Sequence, residues 1–154
     1  MKIPDSLKDG QYRQWELEMV ARYPLTLSEM RWPSTPLDTP RTEPLARWGL
    51  EIGAGWRSVV ERMLERLEPA IAAQPIDERD GLRIVQLKEK FGRLTVYFDK
   101  EPTADMKAIL REAEQESIIT CDVCGAPGQH AERRAWWATR CPVHETWSPH
   151  DQAH

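Results

Sequence analysis

The chain has 154 residues, 40% of them apolar and 30% charged, with a formal net charge of −4. That length suits one domain with a single core and room for an arm. The acidic balance disfavours non-specific nucleic-acid binding, which depends on Lys and Arg neutralising phosphates, but it leaves open a local basic face. No apolar run approaches the roughly 18 residues of a membrane span. The start, Met1 to Ser6, lacks the apolar core of a signal peptide. The expected setting is the cytoplasm, without membrane contact. Thiols stay reduced there, and three Cys cannot all pair.

Along residues 11–23, Tyr12, Trp15, Met19, Val20 and Tyr23 recur at helical spacing, and Pro24 closes the segment. Pro33, Pro36, Pro40 and Pro44 then remove backbone donors and disfavour helix. Residues 31–44 read as an extended connector, either a plain linker or a segment laid along a partner. The string Gly49-Leu50-Glu51-Ile52-Gly53-Ala54-Gly55-Trp56 reads as a tight turn into a helix. It lacks the Lys-Ser/Thr of a phosphate-binding loop and the glycine spacing of a dinucleotide site.

From Trp56 to about Ile71, Trp56, Val59, Val60, Met63, Leu64 and Leu67 form one apolar stripe, with Arg57, Glu61, Arg62, Glu65 and Arg66 opposite. Within that charged face, Arg57–Glu61 and Arg62–Glu65 are close enough to help weakly. Residues 82–87 and 94–98 are rich in β-branched and aromatic residues and read as two strands. Lys88 to Arg93 is expected to connect them, with Gly92 supplying the positive φ of the reversal. A second helix is expected over 103–118, capped by Thr103 or Asp105, with Met106, Ile109, Leu110 and Ala113 as its stripe. Glu112 and Glu116, one turn apart, read as a solvated acidic face. Ser28, Ser58 and Ser117 lack nucleophile-elbow glycines.

The tail carries the chemistry. Cys121-Asp122-Val123-Cys124-Gly125 is followed, with sixteen residues between Cys124 and Cys141, by Cys141-Pro142-Val143-His144. Two ligand pairs, each with two intervening residues, are the pattern of a tetrahedral structural zinc site. Gly125 lets the first turn aim backbone amides at the sulfurs. Four protein ligands leave no position for an activated water, and no His-x-Glu precedes Cys121 as deaminase chemistry needs. His130, between the pairs, is the alternative ligand and is expected in solvent. His150 and His154 lie on a polar tail. Of Trp136 and Trp137, at least one is expected to plug the knuckle.

The Gly49–Trp56 string, Gln86-Leu87-Lys88-Glu89-Lys90-Phe91-Gly92-Arg93-Leu94, Ala113-Glu114-Gln115-Glu116-Ser117 and the Cys-x-x-Cys-Gly…Trp…Cys-x-x-His tail together resemble a group of small, mostly uncharacterised bacterial and phage zinc-knuckle proteins. The resemblance covers about residues 48–144. It implies a helix–hairpin–helix core with a zinc knuckle and, because such proteins occur in phages and prophages, a role in conflict between genetic elements. It implies no established activity or active site.

The fold class expected is α+β: a small helix–β-hairpin–helix core over 45–119, a zinc knuckle over 120–147 and a tail over 148–154. An N-terminal helical and proline-rich arm over 1–44 precedes them. The expected function is that of a non-enzymatic binding protein with one structural Zn²⁺, held by Cys121, Cys124, Cys141 and His144. One form of it is an inhibitor acting by protein–protein contact, as phage anti-defence proteins such as anti-CRISPR proteins, or toxin-immunity proteins, do. An acidic surface suits a nucleic-acid-handling enzyme as partner. Trp32 and Trp137 are the candidate aromatic anchors. The alternative is a nucleic-acid-binding accessory protein or regulator. It would use the knuckle, the basic residues Arg83, Lys88, Lys90 and Arg93 of the hairpin, and Arg133, Arg134 and Arg140 around the two Trp.

Overall fold

The computed structural model describes residues 12–30 and 43–146. Its elements are α1 (Gln14–Arg22), α2 (Pro44–Trp48), α3 (Arg57–Ala72), α4 (Ile76–Arg79), β1 (Ile84–Lys90), β2 (Arg93–Phe98), α5 (Ala104–Ser117), β3 (Gln129–Arg133) and β4 (Trp136–Arg140). A 3₁₀ turn, Ala54–Trp56, leads into α3. The class is α+β, with two separate antiparallel hairpins, β1–β2 and β3–β4. Among the described residues no helix is long and apolar enough to cross a membrane.

The apolar stripe of α3 is the centre of the core. Trp56, Val59, Val60, Met63, Leu64, Leu67 and Ile71 are all buried. Three layers close on it: α1, the β1–β2 hairpin and α5. Leu17, Met19, Val20, Leu27 and Met30, expected in an N-terminal arm, belong to this same buried cluster. The Glu68 carboxylate of α3 holds the turn after α1, accepting from Leu25 N–H, Thr26 N–H and the Thr26 hydroxyl at 2.9–3.1 Å. Tyr12 in turn donates its hydroxyl to Ala46 O of α2. Pro44, expected in an extended connector, instead opens α2, where its missing N–H costs nothing.

The charged face of α3 differs from the expectation. Its arginines and glutamates do not pair along the helix but across to neighbouring helices. Arg62 bonds Glu116, Arg66 bonds Glu112, Arg22 of α1 bonds Glu61, and Arg57 lies 3.4 Å from Glu18. Glu112 and Glu116 are therefore partners of α3 rather than a free acidic face. They pair because packing α5 on α3 through Met106, Ile109 and Ala113 leaves the flanking charges in reach.

The first hairpin is tighter than the sequence suggests. β1 runs on through Lys90, and Lys88 and Lys90 lie opposite Thr95 and Arg93 in the ladder. Only Phe91 and Gly92 form the turn, with φ of 53° and 80°. Both central residues in the left-handed region make a two-residue reversal whose twist matches the strands. Buried Leu87 and Leu94 share the inward face with Val96, while Gln86, Lys88, Lys90 and Tyr97 alternate outward. Residue 51 pairs in parallel with the outer edge of β1, through Glu51 N–H to Leu87 O (2.9 Å) and Glu89 N–H to Glu51 O (3.0 Å).

Thr103 caps α5, accepting from Met106 N–H at 3.2 Å. At the other end, buried Ser117 accepts Leu94 N–H at 3.0 Å and donates to Glu114 O at 2.6 Å. The helix terminus is thereby pinned to the hairpin.

Candidate metal centre

Two turns supply the four donors. In the first, Gly125 N–H bonds Cys121 O at 2.9 Å and Cys121 N–H bonds Ala126 O at 2.8 Å, with Gly125 at φ 81°. In the second, His144 N–H bonds Cys141 O at 3.1 Å. The β3–β4 hairpin between them brings the turns together, since Asp122 N–H bonds Thr139 O at 3.1 Å. Cys121, Cys124, Cys141 and His144 then place one ligand atom each within 4.8 Å of all the others.

Three of the donor separations match those around one tetrahedral ion, within a set that spans up to 4.8 Å. Cys124 Sγ and Cys141 Sγ are 3.7 Å apart, and His144 Nδ1 lies 3.3 Å from Cys141 Sγ and 3.8 Å from Cys121 Sγ. A tetrahedral ion with bonds of about 2.0–2.3 Å sets its donors about 3.3–3.8 Å apart. The three cysteines are free thiols. Cys121 and Cys141 are buried, His144 is half-buried, and Cys124 faces solvent. His130 is not in the cluster. It stands on β3, with Nε2 2.8 Å from Phe91 O and its ring stacked on Trp137 at 4.9 Å.

The knuckle has no miniature core of its own. Trp136 is 47% exposed and Trp137 40%, so the expectation that one of them plugs the site is corrected. The plug is Trp56, fully buried at the head of α3, whose indole N–H donates to Thr120 O at 2.8 Å. The knuckle docks on the Gly53–Trp56 turn that leads into α3. The glycines before Trp56 make this possible. Gly55 N–H bonds Asp122 O at 3.0 Å. A Cβ at Gly53 would stand 2.2 Å from Asp122 O, and one at Gly55 2.2 Å from Cys121 O. The Gly-x-Gly is a seat for the first cysteine turn.

Behind the ligands lies a polar layer that sequence reasoning missed. Arg140 Nε meets Asp122 Oδ1 at 2.6 Å, both side chains almost fully enclosed. Burial pushes the Asp122 carboxyl above its usual range, and Arg140 draws it back. Glu89 comes close from β1, where its carboxylate accepts Gly92 N–H at 2.5 Å. Burial raises Glu89 too, opposed by that bond and by Arg140 and Lys88, with Asp122 adding to the rise. The pair's positions, one residue after the first ligand and one before the third, were the available signal, but only the docked hairpin makes them neighbours.

Of the other predicted residues, Lys88, Lys90 and Arg93 share the outer face of the first hairpin, with Arg93 opposite Lys90. Arg93 lies 3.4 Å from Glu114. Arg83, at the far end of the hairpin, is held by Glu29 at 2.6 Å, Asp99 at 3.1 Å and Asp80 at 3.8 Å. Arg83 is therefore committed to acidic partners and stands apart from Lys88, Lys90 and Arg93. Trp137 is on the surface, as an anchor requires. Trp32, His150 and His154 lie outside the described residues. Comparison with family models, with curated proteins and with solved structures gave no match.

Proposed function

We propose that this chain is a non-enzymatic binding protein whose Cys121, Cys124, Cys141 and His144 hold one structural zinc ion. One observation carries the reading. Four protein donors converge within 4.8 Å of one another on a knuckle seated on the core, surrounded by solvent-facing aromatics. Thiolates and an imidazole suit zinc. A filled tetrahedron supports a structural role, because no position remains for substrate or water. Trp48, Phe91, Trp136 and Trp137 are large exposed aromatics around the knuckle and hairpin tip, the residue type that carries interface energy. Small size and acidic charge favour inhibition of a partner by surface contact, the mode of anti-CRISPR and toxin-immunity proteins.

Metal analysis of the purified chain tests the first half. We expect about one zinc per chain and its loss in Cys124→Ser, with local unfolding, since structural zinc contributes on the order of 10 kcal/mol in small modules. Full thermal stability without metal would overturn the assignment. Capture from the native host with zinc retained tests the second half. A bound protein supports the reading, and salt-sensitive capture of nucleic acid alone overturns it. The nucleic-acid alternative rests on the Trp137–His130 stack beside the Phe91 turn, a platform on which bases could stack.

A further inference from the structure

Between α1, the 49–53 loop, the end of β1 and the knuckle lies a cleft of about 430 Å³. Two exposed tryptophans flank it: Trp48, 62% exposed at the end of α2, and Trp136 at the start of β4. Carboxylates of Glu16, Glu51, Glu89 and Asp122 line it against the guanidiniums of Arg13 and Arg140. Glu16 is matched by Arg13 at 3.0 Å, and Asp122 by Arg140 at 2.6 Å. Glu51 accepts from Gln86 Nε2 at 3.2 Å and Glu89 from Gly92 N–H at 2.5 Å, with Arg140 and Lys88 close enough to Glu89 to favour its charged form. The cleft therefore carries more carboxylates than cations.

Two tryptophans beside an excess of carboxylates, four against two guanidiniums, are complementary to a cation. Among protein cations the guanidinium fits best. It is planar, weakly hydrated, stacks on indole and presents a fork to a carboxylate. The fold already uses the contact, since the Arg47 guanidinium lies 5.7 Å from the centre of the Trp48 ring. The volume, near the low end for small-ligand sites, suits one or two long side chains. We infer that the cleft between Trp48 and Trp136 receives an arginine side chain of a protein partner, with Glu51 and Glu89 as its counter-charges. This rests on the binding-protein reading for the source of the arginine.

The test uses the purified full chain and three end-blocked Gly-Xaa-Gly peptides, in which Xaa is arginine, lysine or citrulline. Citrulline keeps the shape of arginine without its charge. Binding is read from the indole N–H resonances of Trp48 and Trp136. Arginine should shift both in a saturable way, lysine less, and citrulline not at all. Trp48→Ala should weaken arginine binding about fivefold, the size of one exposed cation–π contact. Glu89→Gln should weaken it about tenfold, as loss of a charged hydrogen bond does. Trp48→Ala alters an exposed side chain, so the test stands even where Glu89→Gln unfolds the chain. Equal shifts from citrulline, or no saturable shift from arginine, would overturn the assignment. Capture of the native protein partner by both variants as strongly as by wild type would also overturn it, while leaving the binding-protein reading intact. A titration that succeeds where no protein is captured would leave the cation site standing and remove that reading.

Discussion

Gly55→Ala isolates the contribution of the glycine seat. The added Cβ would meet Cys121 O at 2.2 Å, Asp122 C at 2.6 Å and Cys124 N at 2.7 Å, all backbone atoms that no rotamer change can move aside. Carbon contacts are comfortable at about 3.5 Å, so the first cysteine turn must retreat by about 1 Å. That retreat breaks the 3.0 Å bond from Gly55 N–H to Asp122 O, which has little room to lengthen. It also strains the indole bond from Trp56 to Thr120 O. Overpacking costs about 1–3 kcal/mol and a lost buried hydrogen bond about 1 kcal/mol more, giving roughly 2–4 kcal/mol. In a chain of this size that lowers the melting temperature by about 5–15 °C. The four candidate metal ligands all lie within the knuckle, so on the zinc reading it should undock as a unit and keep its metal. Thermal melting paired with zinc quantification would check both parts. A Gly55→Ala protein melting within about 1 °C of wild type would refute the seat. Ala54→Ser, at an exposed neighbour, serves as control.

Ser117→Ala should leave the buried Leu94 N–H without an acceptor, at a cost of about 1–3 kcal/mol in denaturant unfolding; an unchanged midpoint would mean that Leu94 N–H is satisfied elsewhere. Glu89→Gln should show a pH-dependent difference from wild type. The folded protein raises the Glu89 carboxyl above its ordinary value, so wild type loses stability as pH climbs from about 4.3 through the folded value, and the glutamine variant does not. The melting temperature of the variant minus that of wild type should therefore increase with pH over that window and level off above it. Protonation of the metal ligands is common to both proteins and cancels in the difference. A gap that shrinks as pH rises would contradict the burial of Glu89.

The long local signals were legible in the chain. The α3 stripe from Trp56 to Leu67 announced its buried face because helical period and apolar spacing coincide. Thr103 announced the start of α5 because a hydroxyl there accepts an orphan N–H. The β3–β4 hairpin was not legible. Its turn residues, Arg134 and Ala135, take φ of 53° and 64° without a glycine or asparagine to mark them. Nor did the sequence show that Lys88 and Lys90 are strand residues, because polar side chains on an outward face look like a loop.

The candidate ligand set was legible in the sequence alone. Each Cys-x-x-ligand turn carries its own hydrogen-bonding geometry and presents two donors together, while the β3–β4 hairpin brings the two turns to one point. Where that point sits was decided only by the tertiary structure. The Gly-x-Gly-Trp string reads locally as a turn, and its purpose as a seat exists only once residues 121–124 arrive against it from the other side of α5. The Asp122–Arg140 pair, the cleft between Trp48 and Trp136, and the exposure of Trp136 and Trp137 follow from that docking. They depend on contacts between segments distant along the chain, which local periodicity cannot encode, because spacing in sequence constrains only neighbours a few residues apart.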